Sequence, residues 1–424
     1  MSSLRFFPLP LAAIVLCLAF GVAADEPETA QAPADSVERD YSDELPRIDP
    51  LEPEEALESF ELRPGFRLDQ VAAEPLVADP VAMAFDADGR LYVVEMRGYS
   101  ENPDDALSRV SLLEDTDNDG RFDKSTPFLE GLSWPTAITC FDDGVFVGDA
   151  PDIFFARDTN GDGRADERIK VFTGFSTSNV QGLLNSFHFG LDNRIHGATS
   201  TAGGEIETVA TPAELWGDSG NESQPTEASP KLNLRGRDFA FDPRTLKLEA
   251  TSGGAQHGMS FDDWGRKFAS SNSDHIQQVM FDDHYLARNA YLAAPGARRS
   301  IASDGPQAEV FRISPVEPWR IVRTRLRKQA IVPGPVEGGG RAAGYFTGAT
   351  GVTIYRGDAF PEEYYGNAFV GDVGSNIVHR KTLAGDGIEL TANRAEEGVE
   401  FLASRDIWFR PAQFANAPDG GLYV

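Results

Sequence analysis

The stretch Asp86-Ala87-Asp88-Gly89-Arg90-Leu91-Tyr92-Val93 joins a tight turn to an alternating apolar strand. Asp and Gly favour the turn because they tolerate the backbone angles of hairpin turns, and Leu, Tyr and Val favour the strand that follows. Similar turn-and-strand phrases occur at 142–147, 192–196, 262–268, 366–370 and 419–424. One supersecondary unit is therefore used six times along the chain.

The spacing of these phrases indicates the fold class. Successive phrases begin about 50 residues apart in the first two steps and in the last, which is typical of propeller blades. The chain is predicted to be all-β, a six-bladed β-propeller over residues 62–424. Because the sixth phrase ends at Val424, we expect the last blade to be incomplete and the chain to be a fragment of a longer protein.

The N-terminal 61 residues differ in composition from the rest. Residues 1–24 combine Arg5, an apolar run over 6–22 and two small residues, which is the pattern of a cleaved secretory signal. Residues 25–61 are rich in Asp, Glu and Pro, so we expect a disordered acidic spacer. The mature protein is predicted to be exported to the periplasm or beyond, with no stable membrane span after removal of the signal.

Two further runs are interpreted as strands, one at the start of the predicted propeller and one in its interior. The segment 66–77 is expected to pair into the last blade and to close the ring, as N-terminal strands of propellers often do. The run 319–326 alternates in a strand-like manner.

Charge and cysteine content exclude several function classes. The formal net charge is −29, which would repel nucleic acids and anionic membranes but would attract calcium. Of the two cysteines, Cys17 lies in the predicted signal and Cys140 is alone in the remainder. No internal disulfide is therefore expected, and the fold must depend on its core.

Two acidic loops have the residue spacing of calcium-binding turns. The candidate ligands are Asp115, Asp117, Asp119 and Asp123 in the first loop, and Asp158, Asn160, Asp162 and Asp166 in the second. Alternate oxygen-bearing side chains can converge on a hard cation when glycine lets the chain turn sharply. Thr126 and Ile169 replace the bidentate Glu of helix–loop–helix sites, so we predict a structural calcium site or, alternatively, plain Asx turns.

Histidines are the candidate general bases. Of the six in the chain, His257 is the most suggestive because a Gly-rich segment leads it into a predicted strand, and His188 is the second candidate. A structural histidine that bonds to a nearby carbonyl is the alternative for each. No zinc spacing, P-loop, dinucleotide fingerprint or nucleophile-elbow motif is present in the sequence.

Several segments resemble a known family of propellers. The runs 351–361 and 365–372 resemble the glucose/sorbosone dehydrogenase family, whose members are soluble quinoproteins that use pyrroloquinoline quinone. Segments 79–99, 235–242, 252–275 and 376–380 are similar to the membrane-bound dehydrogenase N-terminal domain of planctomycete-type bacteria. The resemblance covers nearly all of residues 62–424. It implies a six-bladed propeller, oxidation of a sugar or polyol, and electron transfer to a c-type haem domain that this sequence does not contain.

The residue match to the quinone site is poor. The resemblance places the catalytic His near Gln181, Gly182 and Leu183, with His188 adjacent but out of register, and an Arg-Asn pair near Gly254 and Ala255. The family's lysine falls at Gly374, and of two arginines Arg410 matches whereas Ala412 does not. Because a tricarboxylate needs several cations, these departures argue against pyrroloquinoline quinone.

Three functions remain open from the sequence. The first is an exported sugar or polyol dehydrogenase with His257 or His188 as the base and Arg410 orienting an anionic group. The second is a non-catalytic, calcium-stabilised propeller that binds a glycan or a protein. The third is a metal-dependent lactonase that uses channel residues such as Asp372 and Asn376.

Overall fold

The computed structural model describes residues 34–99, 102–217, 231–282, 284–289, 291–293, 295–385 and 387–424. The predicted signal, residues 1–24, lies outside the described residues. Within these ranges, no helix combines the length and the apolar character that crossing a membrane requires.

Strands dominate the regular structure, which confirms the all-β prediction. The strands are β1 (Phe60–Leu62), β2 (Pro80–Phe85), β3 (Leu91–Glu95), β4 (Ser108–Glu114), β5 (Lys124–Leu132), β6 (Pro135–Phe141), β7 (Gly144–Asp149), β8 (Asp152–Arg157), β9 (Glu167–Phe175), β10 (Asn185–Phe189), β11 (Ile195–Ala198), β12 (Gly204–Thr208), β13 (Leu232–Asn233), β14 (Asp238–Phe241), β15 (Leu248–Thr251), β16 (His257–Phe261), β17 (Lys267–Ser271), β18 (Asp274–Val279), β19 (Arg298–Ser300), β20 (Ala349–Ile354), β21 (Ala368–Asp372), β22 (Ile377–Ala384), β23 (Thr391–Arg394), β24 (Leu402–Ser404), β25 (Ala415–Asn416) and β26 (Leu422–Tyr423). The helices are α1 (Pro53–Glu58), α2 (Pro212–Trp216), α3 (His284–Ala287) and α4 (Pro318–Lys328), and short 3₁₀ turns lie at Ser42–Glu44, Pro103–Asp105, Val180–Gly182, Gly338–Gly340 and Glu362–Tyr364.

The strands form antiparallel blades of a propeller. Blade one is β2-β3-β4-β5, blade two β6-β7-β8-β9-β12-β13, blade three β10-β11-β14-β15, blade four β16-β17-β18-β19, and blade five β20-β21-β22-β24-β1 with β23 beside β22. The sixth turn-and-strand phrase forms the two-stranded sheet β25-β26. The propeller is therefore confirmed with five blades in the described residues, whereas the predicted number of six blades is not confirmed.

Every turn-and-strand phrase leads into the second strand of its sheet, namely β3, β7, β11, β17, β21 and β26. Side-chain hydrogen bonds within the turn explain why the chain reverses there into the next strand. The Asp86 carboxylate accepts hydrogen bonds from the backbone N–H groups of Asp88 (3.0 Å) and Arg90 (2.9 Å). Asp262 accepts equivalent bonds in its own turn (3.0 and 2.9 Å). Such Asx turns reverse the chain tightly and set the register of each hairpin.

The first strands of the blades surround a central channel. Contacts join β2 to β6, β6 to β10, β10 to β16, and β16 to β20. Each of these five strands carries a register shift close to its first residue. The shifts lie at 80–82, 135–137, 185–188, 257–259 and 350–353. Because a bulge bends a strand and re-aims its side chains, these shifts decide which residues face the channel.

Two predictions for the N-terminal part of the described chain are wrong. Residues 34–61 do not form a disordered spacer, since the carboxylates of Asp35 and Glu44 accept hydrogen bonds from Arg325 of α4 at 2.8 and 2.7 Å. Residues 66–77 contain no strand in the structure, and β1 instead pairs with β24 at the edge of blade five. Composition alone did not indicate these partners, because they lie more than 280 residues away along the chain.

Candidate functional site

A cavity of about 310 Å³ lies in the central channel, where the later halves of the inner strands meet. It is lined by residues 83–85, 138–139, 187–189, 260–261, 353, 356 and 413–416. All five blades and the β25 hairpin therefore contribute to its wall. This volume is at the lower end of the range for small-molecule sites, which is about 300–1,000 Å³.

His188 is the channel histidine. It follows the bulge of β10, pairs in register with His196, and lines the cavity. Burial lowers the pKa of His188 to about 4, and the neighbouring His196 ring adds to this lowering. At neutral pH the imidazole is therefore uncharged, with one nitrogen available to accept a hydrogen bond or a proton.

The remainder of the cavity wall combines aromatic and aliphatic side chains with polar groups, and the Arg356 guanidinium in it is paired with Asp263 (2.6 Å). Its rings come from Phe85, Phe187, Phe189, Phe261 and Phe414, and its hydroxyls from Thr139, Ser260 and Thr353. Gln413 also lines it, and its Oε1 is buried without a hydrogen-bond partner among the described residues. A buried acceptor of this kind costs free energy unless a ligand or water satisfies it. The wall suits a small, neutral, hydroxylated molecule.

His257 lies at a different level of the propeller. It is the first residue of β16, and the residues of β16 that line the cavity are Ser260 and Phe261. Burial lowers the pKa of His257 to about 4, and its backbone carbonyl accepts a hydrogen bond from Ser270 Oγ (2.7 Å). The two histidines singled out from the sequence are thus not brought together, and only His188 lines the channel cavity.

Arg410 is not among the residues that line the cavity. Its Nη2 lies 3.7 Å from Glu317 Oε1, and Arg320 Nε lies 2.9 Å from Oε2 of the same carboxylate. At Gly374, where the family resemblance places a lysine, a Cβ atom would lie only 2.8 Å from Arg320 Nη2. Gly374 and Ala412 thus carry no charge, and the two arginines nearby, Arg320 and Arg410, are both paired with Glu317. These residues do not fit pyrroloquinoline quinone, and we derive no step through it.

Asp372 and Asn376 belong to one turn that follows β21. Asp372 accepts hydrogen bonds from the backbone N–H groups of Thr347 (3.0 Å) and Gly374 (2.7 Å), and burial raises its pKa to about 6. Asn376 Nδ2 donates to the carbonyls of Ile407 (3.0 Å) and Phe409 (2.7 Å). Both side chains are engaged with the backbone, which is the arrangement of a structural turn rather than of a lactonase metal centre.

A repeated Phe-Val-Gly-Asp motif explains the position of Asp372. The motif occurs at 146–149 and at 369–372. Asp149 accepts hydrogen bonds from the N–H groups of Ser133 and Trp134, just before β6, as Asp372 does from Thr347 before β20. In each case the carboxylate at the end of the second strand anchors the loop that enters the first. Sequence reasoning missed this signal.

The first acidic loop gathers three of the eight predicted calcium ligands. Asp115, Asp117 and Asp119 each place an oxygen within 4.8 Å of the others, and the Asp119 carboxylate raises the pKa of Asp117. Asp123 turns away and accepts a hydrogen bond from Thr116 Oγ1 (2.7 Å). The acidic residues are thus partly converged, as a cation site requires.

The second loop is closed by its own hydrogen bonds. Asp158 accepts from the backbone N–H groups of 160–163 at 2.7 to 3.3 Å. Asp166 accepts from Thr159 Oγ1 and from Asn160 Nδ2 (2.9 Å), and the Asn160 carbonyl oxygen accepts from the N–H of Asp162 (3.0 Å). The first loop has the same kind of bonds, since Asp115 accepts from the N–H groups of Asp119 (3.2 Å) and Gly120 (2.9 Å), so both loops have the geometry of Asx turns. Among the described residues, the first loop differs in that it brings three carboxylates within 4.8 Å of one another.

A second and larger cavity was not indicated by the sequence. This cleft has a volume of about 680 Å³ and lies between blades three and four, where His196, Thr251, Trp264, Lys267 and Gln278 contribute to its wall, and residues 385 and 387–388 of blade five complete it. His196 Nε2 lies 3.1 Å from Asp192 Oδ1, so the cleft contains an Asp–His pair. The four-residue spacing of Asp192 and His196 was the only local signal for it.

Comparison with known proteins places the chain in a family. Residues 52–424 match the model of DUF7133, a domain of unknown function. The chain belongs to the DUF7133 family. No curated protein shows significant sequence similarity to this DUF7133 chain.

Solved structures with a similar fold include two sugar dehydrogenases and a pyranose dehydrogenase domain. The PQQ-bound aldose sugar dehydrogenase of Streptomyces coelicolor is 16% identical, with a TM-score of 0.43 over 86% of this chain and 90% of that one. The holo PQQ domain of the Coprinopsis cinerea pyranose dehydrogenase is 14% identical, with a TM-score of 0.46 over 86% and 93%. The apo soluble aldose sugar dehydrogenase of Escherichia coli is 12% identical, with a TM-score of 0.42 over 82% and 92%.

Proposed function

We propose that this DUF7133 propeller binds a small neutral sugar or polyol in its central channel and acts as the substrate-binding part of a dehydrogenase. The observation that carries the proposal is the axial cavity, whose wall combines the uncharged His188 with hydroxyls and aromatic rings. Aromatic rings suit the C–H faces of a sugar ring, and hydroxyls and imidazole suit its edges. The sequence resemblance at 351–372 points to the same class of substrate.

The proposed chemistry divides between this chain and an electron acceptor. Oxidation of an alcohol to a carbonyl compound breaks its O–H bond and the C–H bond on the same carbon. His188 is positioned to take the hydroxyl proton, and the hydrogen on the carbon leaves together with the two electrons. The other cavity residues orient the hydroxyl and exclude water. The electrons require a separate acceptor, for which we propose the c-type haem domain that the family resemblance implies. A glycan-binding role without oxidation is the alternative.

His188→Leu should weaken sugar binding in the channel by about tenfold or more, because a buried ligand hydroxyl would lose its partner. Isothermal titration of monosaccharides and polyols, followed by dye reduction with each binder, measures binding and oxidation separately. Since the imidazole must be uncharged, wild-type binding should be constant from pH 8 to about 5 and should fall as the pH approaches 4.

The matched control is His284→Leu, because His284 is an exposed histidine on α3 away from the channel. It should bind as the wild type does. If no compound of the panel binds, or if His188→Leu binds normally, the channel proposal fails. Binding without dye reduction would instead support the non-catalytic alternative.

We also propose that the first acidic loop holds a structural calcium ion. Calcium at millimolar concentration should raise the midpoint of thermal unfolding by roughly 1–3 °C, because a ligand that binds only the folded state stabilises it. Asp117→Asn should remove this increase, since Asp117 is one of the three converged carboxylates. Asp162→Asn is the control and should retain it, because Asp162 lies in the second loop and is not one of the converged carboxylates. An equal calcium effect in both variants would contradict the assignment.

Two further proposals concern export and blade number. The signal pattern of residues 1–24 supports export of the protein. The hairpin β25-β26 contacts both of its neighbours, through Asn416 Nδ2 and the Ile354 carbonyl (3.0 Å) in blade five, and through the Tyr423 and Phe85 rings (5.4 Å) in blade one. These contacts support the hairpin as the inner half of a sixth blade.

A further inference from the structure

The cleft between blades three and four is separate from the channel. Its wall includes His196, Thr251, Trp264, Lys267, Gln278 and Asp282, and Phe261 is the residue that it shares with the channel cavity. Its volume of about 680 Å³ compares with about 310 Å³ for the channel cavity. The proposed channel function leaves this cleft unused.

The cations of the cleft wall are already neutralised. Lys267 Nζ lies 2.6 Å from Asp238 Oδ2 and donates to the Ser252 carbonyl (3.0 Å). Arg266 Nε lies 2.5 Å from Asp262 Oδ2. Recognition of an anion would require cations free to pair with it. With these cations paired and the Asp282 carboxylate also in the wall, the cleft disfavours an anionic ligand.

Two polar atoms of the wall are buried and have no partner among the described residues. They are Thr251 Oγ1 and His196 Nδ1, on residues that are only 4% and 8% exposed. Burial and the nearby Lys267 charge lower the pKa of His196, so its ring is neutral. Because Nε2–H donates to Asp192, Nδ1 is left as an acceptor. A ligand hydroxyl that donates to this nitrogen and one that bonds to Thr251 would satisfy both groups.

An exposed indole ring lies at the rim of the cleft, with one face free to stack on a ligand. Trp264 is 76% exposed, and the Arg266 guanidinium lies 5.0 Å from its ring centroid. Asp262 holds that guanidinium, so Arg266 supports one face of the indole and leaves the other accessible. An accessible indole face of this kind can stack on the C–H face of a sugar ring.

We propose that this cleft is a second carbohydrate site, which takes a segment of a neutral glycan. One sugar ring stacks on Trp264, and hydroxyls of the segment bond to His196 Nδ1 and Thr251 Oγ1. The larger volume accommodates a longer stretch of glycan than the channel does. This site stands independently of what the channel binds.

Isothermal titration of the full chain with neutral hexasaccharides of β-1,4-glucan, β-1,3-glucan, xylan and mannan tests the proposal. At least one should bind the wild type with a Kd of 1 mM or below. The affinity for that hexasaccharide should fall tenfold or more in Trp264→Ala and about fivefold in Thr251→Val. Trp319→Ala is the matched control, because Trp319 is also exposed beneath arginine side chains but lies on α4, outside the cleft. It should bind as the wild type does.

The same variants distinguish glycan binding in the cleft from monosaccharide binding in the channel. Trp264→Ala should leave monosaccharide binding in the channel unchanged, so failure of one site does not imply failure of the other. The proposal is overturned if no hexasaccharide binds, or if Trp264→Ala binds like the wild type. Trp264 is a surface residue, so its variant remains informative even if Thr251→Val does not fold.

Discussion

Gly258→Ala should lower the free energy of unfolding by roughly 3–5 kcal/mol, which is the range expected for a strained backbone combined with overpacking. Gly258 has a φ of +62° in the bulge of β16. A Cβ atom there would lie 2.6 Å from the backbone nitrogen of Val352 and 3.0 Å from that of Gly351, on the neighbouring inner strand. Backbone atoms cannot rotate away, so blades four and five would have to separate. Urea denaturation of the wild type and the variant measures the loss.

Gly89→Ala provides the control for the backbone contribution. Gly89 has a φ of +80°, and no atom lies within 4 Å of the Cβ that the substitution would add. Only the cost of a left-handed alanine, roughly 1–2 kcal/mol, is expected there. If the two variants were equally destabilised, the close approach of the inner strands would not be the cause.

The parts of the fold that the sequence predicted depend on local chemistry. The turn at Asp86 and its equivalents needs only carboxylates and glycines a few residues apart, and these are visible in the sequence. Each phrase therefore leads into a strand, as predicted, and the structure adds that this is the second strand of its sheet. The number of blades was harder to predict, because it depends on how many strands join each sheet, as the two-stranded sheet β25-β26 illustrates.

The wrong secondary-structure predictions lie where contacts between distant parts of the chain outweigh the local sequence pattern. The run 319–326 alternates like a strand but forms α4, which starts with Pro318 and buries Arg320, Val322 and Leu326. Arg320 is held by Glu317, and Arg325 holds the N-terminal segment through Asp35. In a run this short, periodicity does not separate a helix from a strand, and tertiary packing decides between the two.

The candidate site could be predicted only in part. His188 was a candidate, but whether it or His257 faces the cavity depends on the bulges at 185–188 and 257–259. These bulges share no sequence signature, because the left-handed residue is Ser186 in one and Gly258 in the other. The cleft depends on Thr251, His196 and Trp264, which meet only because blades three and four pack together. Single-sequence patterns contain no information on such inter-blade contacts.

Glu396→Gln should destabilise blade five by roughly 3–5 kcal/mol, the cost of leaving a buried charge without its partner. Arg380 donates to Glu396 Oε1 through Nε (2.9 Å) and Nη2 (2.6 Å), and to Asn367 Oδ1 through Nη1 (2.9 Å). The side chains of Arg380 and Glu396 are only 8% and 2% exposed. Glutamine keeps the shape of glutamate but removes its charge, so the loss measured by urea denaturation reports the electrostatic contribution.

Two further variants identify the cause of that loss. Glu61→Gln removes a carboxylate from the exposed pair with Arg405 and should cost at most about 1 kcal/mol. Arg380→Met combined with Glu396→Leu removes both buried charges and should recover most of the stability lost in Glu396→Gln, because the apolar pair no longer has to be desolvated as ions. If the double variant were less stable than Glu396→Gln, the bonds from Arg380 to Asn367 and its packing on Tyr364 would be the larger contribution. Comparison of these variants therefore shows whether blade five depends on this pair because of an uncompensated charge or because of packing that is lost with Arg380.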